Sequence, residues 1–221
     1  MKNQHKHIPA LSFESLTGFY DIIIARTMPE NDFRNSLIYQ AFKDNKNVDV
    51  LEFGVGTASN SILAKRLYPE LRLTGVDVDT KILEIAQKKV TDANINVELV
   101  KYDGKQLPFR ENSFSVVISS LVFHHLKPDE KQKAFFEINR VLKPNGKLVF
   151  VDWGKPSGIY SKFAFNVLRV FDGWKNTSDH ASGNYHVMIE RANFKTTETV
   201  KKFETVYGTL ELVETSKCIE L

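Results

Sequence analysis

The sequence predicts a single α/β domain with a doubly wound, mixed sheet: five parallel strands and then a C-terminal antiparallel hairpin, flanked by helices. Three observations lead there. From residue 48 to 151, short β-rich runs alternate with helical stretches, the pattern of a parallel sheet covered on both faces. The run 114–119 is apolar almost throughout, as a strand buried on both faces is. Two further β-rich runs, 196–203 and 209–214, flank Tyr207-Gly208 and lie too close together to pair other than antiparallel.

In chain order, residues 11–42 read as two helical stretches broken near Met28-Pro29-Glu30-Asn31. The first sets Leu16, Phe19, Tyr20, Ile23 and Ile24 at helical spacing, a stripe that must pack on something. Asp44-Asn45-Lys46-Asn47 is a turn. Residues 48–53 form a strand ending at Gly54-Val55-Gly56, and 59–68 a helix that Pro69 stops. A strand over 71–76, a helix over 80–90 and a strand over 97–102 follow. After the fourth strand, residues 129–142 are helical up to the stop signal Pro144-Asn145-Gly146, and 147–151 are the fifth strand. Residues 159–171 are strongly apolar, and 185–192 form a last helix.

Composition narrows the function. At 221 residues, 42% hydrophobic and 26% charged, the chain is neither disordered, collagen-like nor a disulfide scaffold. The one cysteine, Cys218, makes no internal bridge and points to a reducing compartment. Net charge is only +3, and no basic block exceeds the pairs Lys88-Lys89 and Lys201-Lys202, so nucleic acid is not the expected partner. Residues 1–7 are polar and lead into Ile8-Pro9 without the apolar region of a signal peptide. No run approaches the ~18–20 apolar residues of a membrane span. A cytoplasmic protein without stable membrane insertion is expected.

Chemistry concentrates at strand ends. Glu52-Phe53-Gly54-Val55-Gly56-Thr57-Ala58 joins a strand to a helix, where glycines let backbone approach a ligand and the helix start offers N–H donors. Asp77 ends the next strand, 21 positions after Gly56, where a carboxylate can accept both hydroxyls of a ribose. Asp103 ends the third, where a carboxylate can take an exocyclic amine. Either acid alone is commonly a helix cap; three successive strand ends with nucleoside-compatible groups form a site. A nicotinamide fingerprint is disfavoured, because Ser59 stands at its third glycine.

Over residues 48–151 the chain resembles the class I S-adenosylmethionine-dependent methyltransferases, with a Rossmann-like fold. The likeness rests on Leu51-Glu52-Phe53-Gly54-Val55-Gly56-Thr57, Gly75-Val76-Asp77-Val78-Asp79, Tyr102-Asp103-Gly104 and Arg140-Val141-Leu142-Lys143-Pro144-Asn145-Gly146. The resemblance implies that Glu52, Gly54 and Gly56 flank the methionine moiety of S-adenosylmethionine, Asp77 holds the ribose and Asp103 the adenine amine. Thr57, Val78, Gly104 and Ser119 complete the expected cofactor contacts, and the product is S-adenosylhomocysteine. Ala58 stands where the family often has a third glycine.

The fourth strand end bears on the acceptor. Ser119-Ser120-Leu121-Val122 is not the Asn/Asp-Pro-Pro-Tyr/Phe of enzymes that methylate bases or protein amides. It also lacks the carboxylate that would ligate a divalent cation, so no metal is expected. A small-molecule O-, N- or C-methyltransferase remains. His124 or His125 is the candidate base, with Asp152 to orient it; the bland alternative is a His pair that fills the rim of the cleft. Tyr20, Trp153, Trp174 and His180 are candidate substrate residues, suited to a hydrophobic or aromatic acceptor. A quinone or lipid precursor at a membrane surface, and a non-catalytic cofactor-binding protein, are the competing readings. Residues 1–45 are expected as a helical lid, 48–154 as the cofactor core, 155–183 as an apolar cap and 184–221 as the terminal helix and hairpin. The apolar stretch within the cap, residues 159–173, suits a pocket cover, a homodimer contact or a membrane contact, with ordinary core packing as the bland alternative.

Overall fold

The computed structural model describes residues 29–154, 185–205 and 208–218. Helix α1 (Glu30–Phe42) precedes β1 (Asp49–Phe53), α2 (Ser59–Leu67), β2 (Arg72–Asp77), α3 (Thr80–Asp92) and β3 (Glu98–Lys101). Then come β4 (Phe114–Ser120), a 3₁₀ turn (Phe123–His125), α4 (Pro128–Val141), β5 (Leu142–Trp153), α5 (Tyr185–Arg191), β6 (Glu198–Thr205) and β7 (Gly208–Ser216). The seven strands form one sheet in the order β3-β2-β1-β4-β5-β7-β6. Strands β1 to β5 run parallel; β7 pairs antiparallel with β5, and β6 with β7. The predicted mixed, doubly wound sheet with its terminal hairpin is the observed one.

Alternation along the strands sorts side chains into two cores. Val149, Val151 and Trp153 of β5 face one cluster, to which α1 contributes Phe33, Leu37, Ile38 and Phe42. Leu148 and Phe150 face the other, with Phe135 and Ile138 of α4 and Tyr185 and Ile189 of α5. Helix α1 is thus a fixed part of the core. The stripe from Leu16 to Ile24, including Tyr20, and the segment with Trp174 and His180 lie outside the described residues.

One boundary differs from expectation. Strand β5 starts at Leu142, directly after α4, because Leu142 already pairs with Phe114. Pro144-Asn145-Gly146 is therefore an irregularity within the strand, with Asn145 at φ +61°, and the register shifts between Phe114 and Val116. The same residues that stop a helix accommodate a bulge, because both need a left-handed residue.

The connections reverse between β1 and β4, which leaves a crevice at the carboxyl ends of the strands. Every strand-end residue singled out above converges on that edge.

Candidate active site

The first half of the site is a turn held by backbone. Gly54 and Val55 donate to Val76 O at 3.0 and 2.9 Å, which ties the turn to β2. Gly54 (φ +71°) has no room for a side chain, since a Cβ there would overlap Val122. Gly56 (φ +52°) is the opposite case: a Cβ there would meet nothing within 4 Å, so this residue borders open space. Ala58 keeps the left-handed conformation at φ +62°, one that glycine adopts without steric cost.

Asp77 spans the turn. Its Oδ2 accepts from Gly56 N–H at 3.0 Å and its Oδ1 from Asp79 N–H at 3.1 Å. Asp103 is exposed, and its Oδ1 accepts from Lys105 and Gln106 N–H at 2.9 and 3.1 Å. Those amides hold its carboxyl below the usual range, so it is an anion ready for a donor. Gly104 (φ +77°) lies beside Val78, and Thr57 Oγ1 receives Lys89 Nζ at 2.9 Å. Gly54, Gly56, Thr57, Asp77, Val78, Asp103 and Gly104 therefore gather at the ends of β1–β3.

Glu52 and Ser119 lie beneath them. Ser119, 1% exposed, donates from Oγ to Phe53 O at 2.8 Å and stitches β4 to β1. Glu52, also 1% exposed, accepts from Asn60 Nδ2 at 3.0 Å and from Ser61 Oγ. Burial pushes its carboxyl up to about 7, against the pull of those donors. Both residues shape the turn from below. Asn60 and Ser61 escaped the sequence reading; their position in the first turn of α2, just after the glycines, was the available signal.

The second half is built from side chains. Leu121 (φ +58°) turns the chain out of β4 into the 3₁₀ turn. There His124, 4% exposed, sets Nδ1 2.7 Å from Asp152 Oδ1. The other oxygen, Oδ2, accepts from Phe123 and His124 N–H at 2.8 and 3.3 Å. One carboxylate thus fixes both the imidazole and the backbone that carries it. His125 is exposed, yet its ring lies 3.9 Å from that of His124. Adjacent residues diverge on a helix or strand, but a tight turn brings their rings together, here tilted by 42°. Trp153, 4% exposed, belongs to the core on the other face of the sheet, edge-on to His124 at 6.5 Å.

Spacing gave no sign of a second buried acid. Glu211 of β7 stands opposite Asp152 in register, and accepts from Tyr185 Oη at 2.6 Å and pairs with Lys202 at 2.9 Å. Burial, with the charges of Glu211 and Asp152, raises the Tyr185 hydroxyl far above its ordinary value, so it is a donor and not a base.

An adenosyl sulfonium cofactor fits this geometry. Open space over Gly56, a ribose-compatible carboxylate at Asp77 and a charged acceptor at Asp103 lie along one edge.

Residues 50–146 match the methyltransferase domain family. The chain is 27% identical over 183 residues to a ubiquinone/menaquinone biosynthesis C-methyltransferase of Idiomarina loihiensis, covering 76% of this chain and 69% of that protein. It is 37% identical over 123 residues to a demethylmenaquinone methyltransferase of Listeria monocytogenes, covering 55% of this chain and about half, 51%, of the relative. Among solved structures, a SAM-dependent methyltransferase of Methanosarcina mazei superposes with a TM-score of 0.67 at 16% identity, covering 83% of this chain and 98% of that one. A putative sarcosine dimethylglycine methyltransferase of Galdieria sulphuraria gives 0.64 at 15% identity, with 85% of each chain covered. These matches agree with the sheet order described above, and residues 50–146 form a methyltransferase domain on the class I, S-adenosylmethionine-dependent methyltransferase fold.

Proposed function

We propose that the chain methylates a small hydrophobic or aromatic acceptor, of the quinone-precursor type, with His124 as its base. The observation that carries this is the buried His124–Asp152 pair at 2.7 Å, at the end of β5 and across the crevice from the cofactor turn. A carboxylate can only accept, so it places the imidazole proton on Nδ1 and leaves Nε2 as the basic nitrogen. The names of the relatives supply the acceptor class: quinone-biosynthesis methylation, including C-methylation.

When bound, the cofactor supplies an electrophilic methyl group on a sulfonium. The chain's own residues do the rest. The glycine turn, Asp77 and Asp103 bind and orient; His124 Nε2 takes the hydroxyl proton of a hydroquinone-like acceptor, whose ring carbon or oxygen becomes the nucleophile. Asp152 stabilises the imidazolium that forms. Positioning supplies most of the rate, and the base makes a weak nucleophile competent.

The acceptor is a small molecule rather than nucleic acid, and the setting is cytoplasmic. No helix among the described residues is long and apolar enough to cross a membrane.

The test is methyl transfer from labelled S-adenosylmethionine to a short-chain demethylated naphthohydroquinone, beside a panel of small phenols and amines. His124→Ala should cut turnover about 10²–10⁴-fold and leave S-adenosylhomocysteine affinity unchanged. Asp152→Asn should cost less, and the wild-type rate should fall in acid as the imidazole takes up a proton. Near-wild-type turnover in both His124→Ala and His125→Ala would make the pair structural.

A further inference from the structure

Helix α1 reaches the cofactor turn through a chain of three polar side chains. Arg34 Nη1 donates to Asn60 Oδ1 at 2.7 Å, and Asn60 Nδ2 donates onward to Glu52 Oε1 at 3.0 Å. Glu30 backs the guanidinium at 3.5 Å. The polarity of this chain is fixed from its outer end. A guanidinium only donates, so Asn60 must turn its oxygen to Arg34 and its amide N–H to Glu52. Ser61 Oγ donates to the other carboxylate oxygen. Every partner thus presents a donor, which is what an ionised carboxylate needs.

We propose that Arg34 is a positioning residue for cofactor binding, acting through Asn60 to keep Glu52 ionised beneath the glycine turn. The mechanism needs no contact between Arg34 and the cofactor. A negative Glu52 two residues before Gly54 favours a ligand carrying a sulfonium and an ammonium, and its bonds to Asn60 and Ser61 hold the first turn of α2 against β1. Without Arg34, the Asn60 amide is free to reverse and present its oxygen to Glu52, which then favours a protonated carboxyl.

Among the described residues, the charge that bears on Glu52 is Arg34 of α1, itself paired with Glu30 of the same helix. Its register neighbours on β2 and β4 are Gly75 and Ile118, which do not titrate. Burial already places the Glu52 proton near neutrality, with the Arg34 charge among the influences that lower it. Small changes at Arg34 are therefore felt at working pH.

The experiment is calorimetric titration of S-adenosylmethionine from pH 6 to 9 into wild type, Arg34→Met, Arg34→Lys and Glu52→Gln. Titration of the ligand itself is common to all four and cancels in the comparison. Wild-type affinity should rise through about neutral pH. In Arg34→Met the rise should move up by roughly half to one pH unit, giving about 2–6-fold weaker binding at pH 7 and near-equal binding at pH 9. Arg34→Lys keeps the charge and should lie between the two, and Glu52→Gln should abolish the difference in pH profile. Thermal unfolding at pH 9 controls for folding of each variant. Binding by Arg34→Met that equals wild type at every pH, or that is weaker by one constant factor, would overturn the proposal. So would a Glu52→Gln protein that retains the wild-type rise.

Discussion

At the ends of β2 and β3, the carboxylates of Asp77 and Asp103 are held by backbone N–H groups, mostly two or three residues away in sequence. At the ends of β4 and β5, Asp152 adds to its backbone donors the His124 side chain 28 residues away, and Glu211 beside it meets the Tyr185 side chain, 26 residues away. The two halves also differ in solvent. Asp103 is exposed, whereas Asp152 and Glu211 are 1% and 5% exposed. Backbone partners cannot be mutated away, and an exposed carboxylate keeps its hydration when a ligand leaves. A buried carboxylate has only its partners, so the loss of one costs more there than at an exposed site. The cofactor half is therefore tolerant and locally determined, and the acceptor half brittle and globally determined.

That contrast breaks most sharply at His124. His124→Ala should lower turnover with cofactor affinity intact, as set out above. A parallel loss of affinity would mean that the two halves are a single unit.

Glu52 gives the next effect, on stability. Burial raises it to about 7, so the folded chain holds this proton more tightly than the unfolded chain does. Stability should then fall as pH rises from the ordinary glutamate range to about 7, by about 3 kcal/mol in full. Urea unfolding between pH 5 and 8.5 should show that slope in wild type and a flatter one in Glu52→Gln. A flat wild-type profile would mean that the carboxyl is not desolvated as its 1% exposure implies. An acid kept at such a cost points to function under the turn.

Asp77→Ala should weaken cofactor binding by an order of magnitude or more, since each charge-assisted bond is worth roughly 1.5–3 kcal/mol. Calorimetry reads this directly, and unchanged affinity would remove the ribose assignment. Turnover at saturating cofactor should stay close to wild type, the reverse of the His124 pattern.

Gly54 is where the halves touch. A Cβ there would overlap Val122, one residue before the 3₁₀ turn, and φ is +71°. Gly54→Ala should cost about 1–2 kcal/mol for the backbone conformation and more for the overlap. Adding Val122→Ala should return the steric part only. Thermal unfolding of both variants checks this, and strictly additive losses would deny the contact.

The smallest effect belongs to Asp49, at the far end of β1. Arg72 at 2.6 Å and Lys143 at 2.6 Å hold its carboxyl down at about 2. Its stabilisation is present above the ordinary aspartate range and is lost as pH falls towards 2. Because the group is partly exposed, Asp49→Asn should cost no more than about 1 kcal/mol, and less in high salt. Chemical unfolding at two salt concentrations measures it.

Legibility in the sequence follows the same division. The alternation over residues 48–151 and the strand-end acids could be read directly, because strand period, glycine turns and capping acids are local physics. The start of β5 at Leu142 could not, since pairing with Phe114 overrode a helix-stop signal. Nor could the depth of Glu52 or Ser119: motif position gives proximity to the turn, whereas packing of α2 against β1 decides which side a residue lies on.

The sequence by itself determined the sheet, the glycine turn and the two strand-end acids proposed to hold a nucleoside, because each depends on residues within one strand–turn–helix unit. Only the tertiary structure decided that His124 and not His125 meets Asp152, that Glu211 stands beside that acid, and that Arg34 reaches Glu52 through Asn60. The longer of those pairings join segments 26 to 28 residues apart, or β5 to the C-terminal strand β7. Their energies come from burial, and burial exists only once the whole sheet has formed.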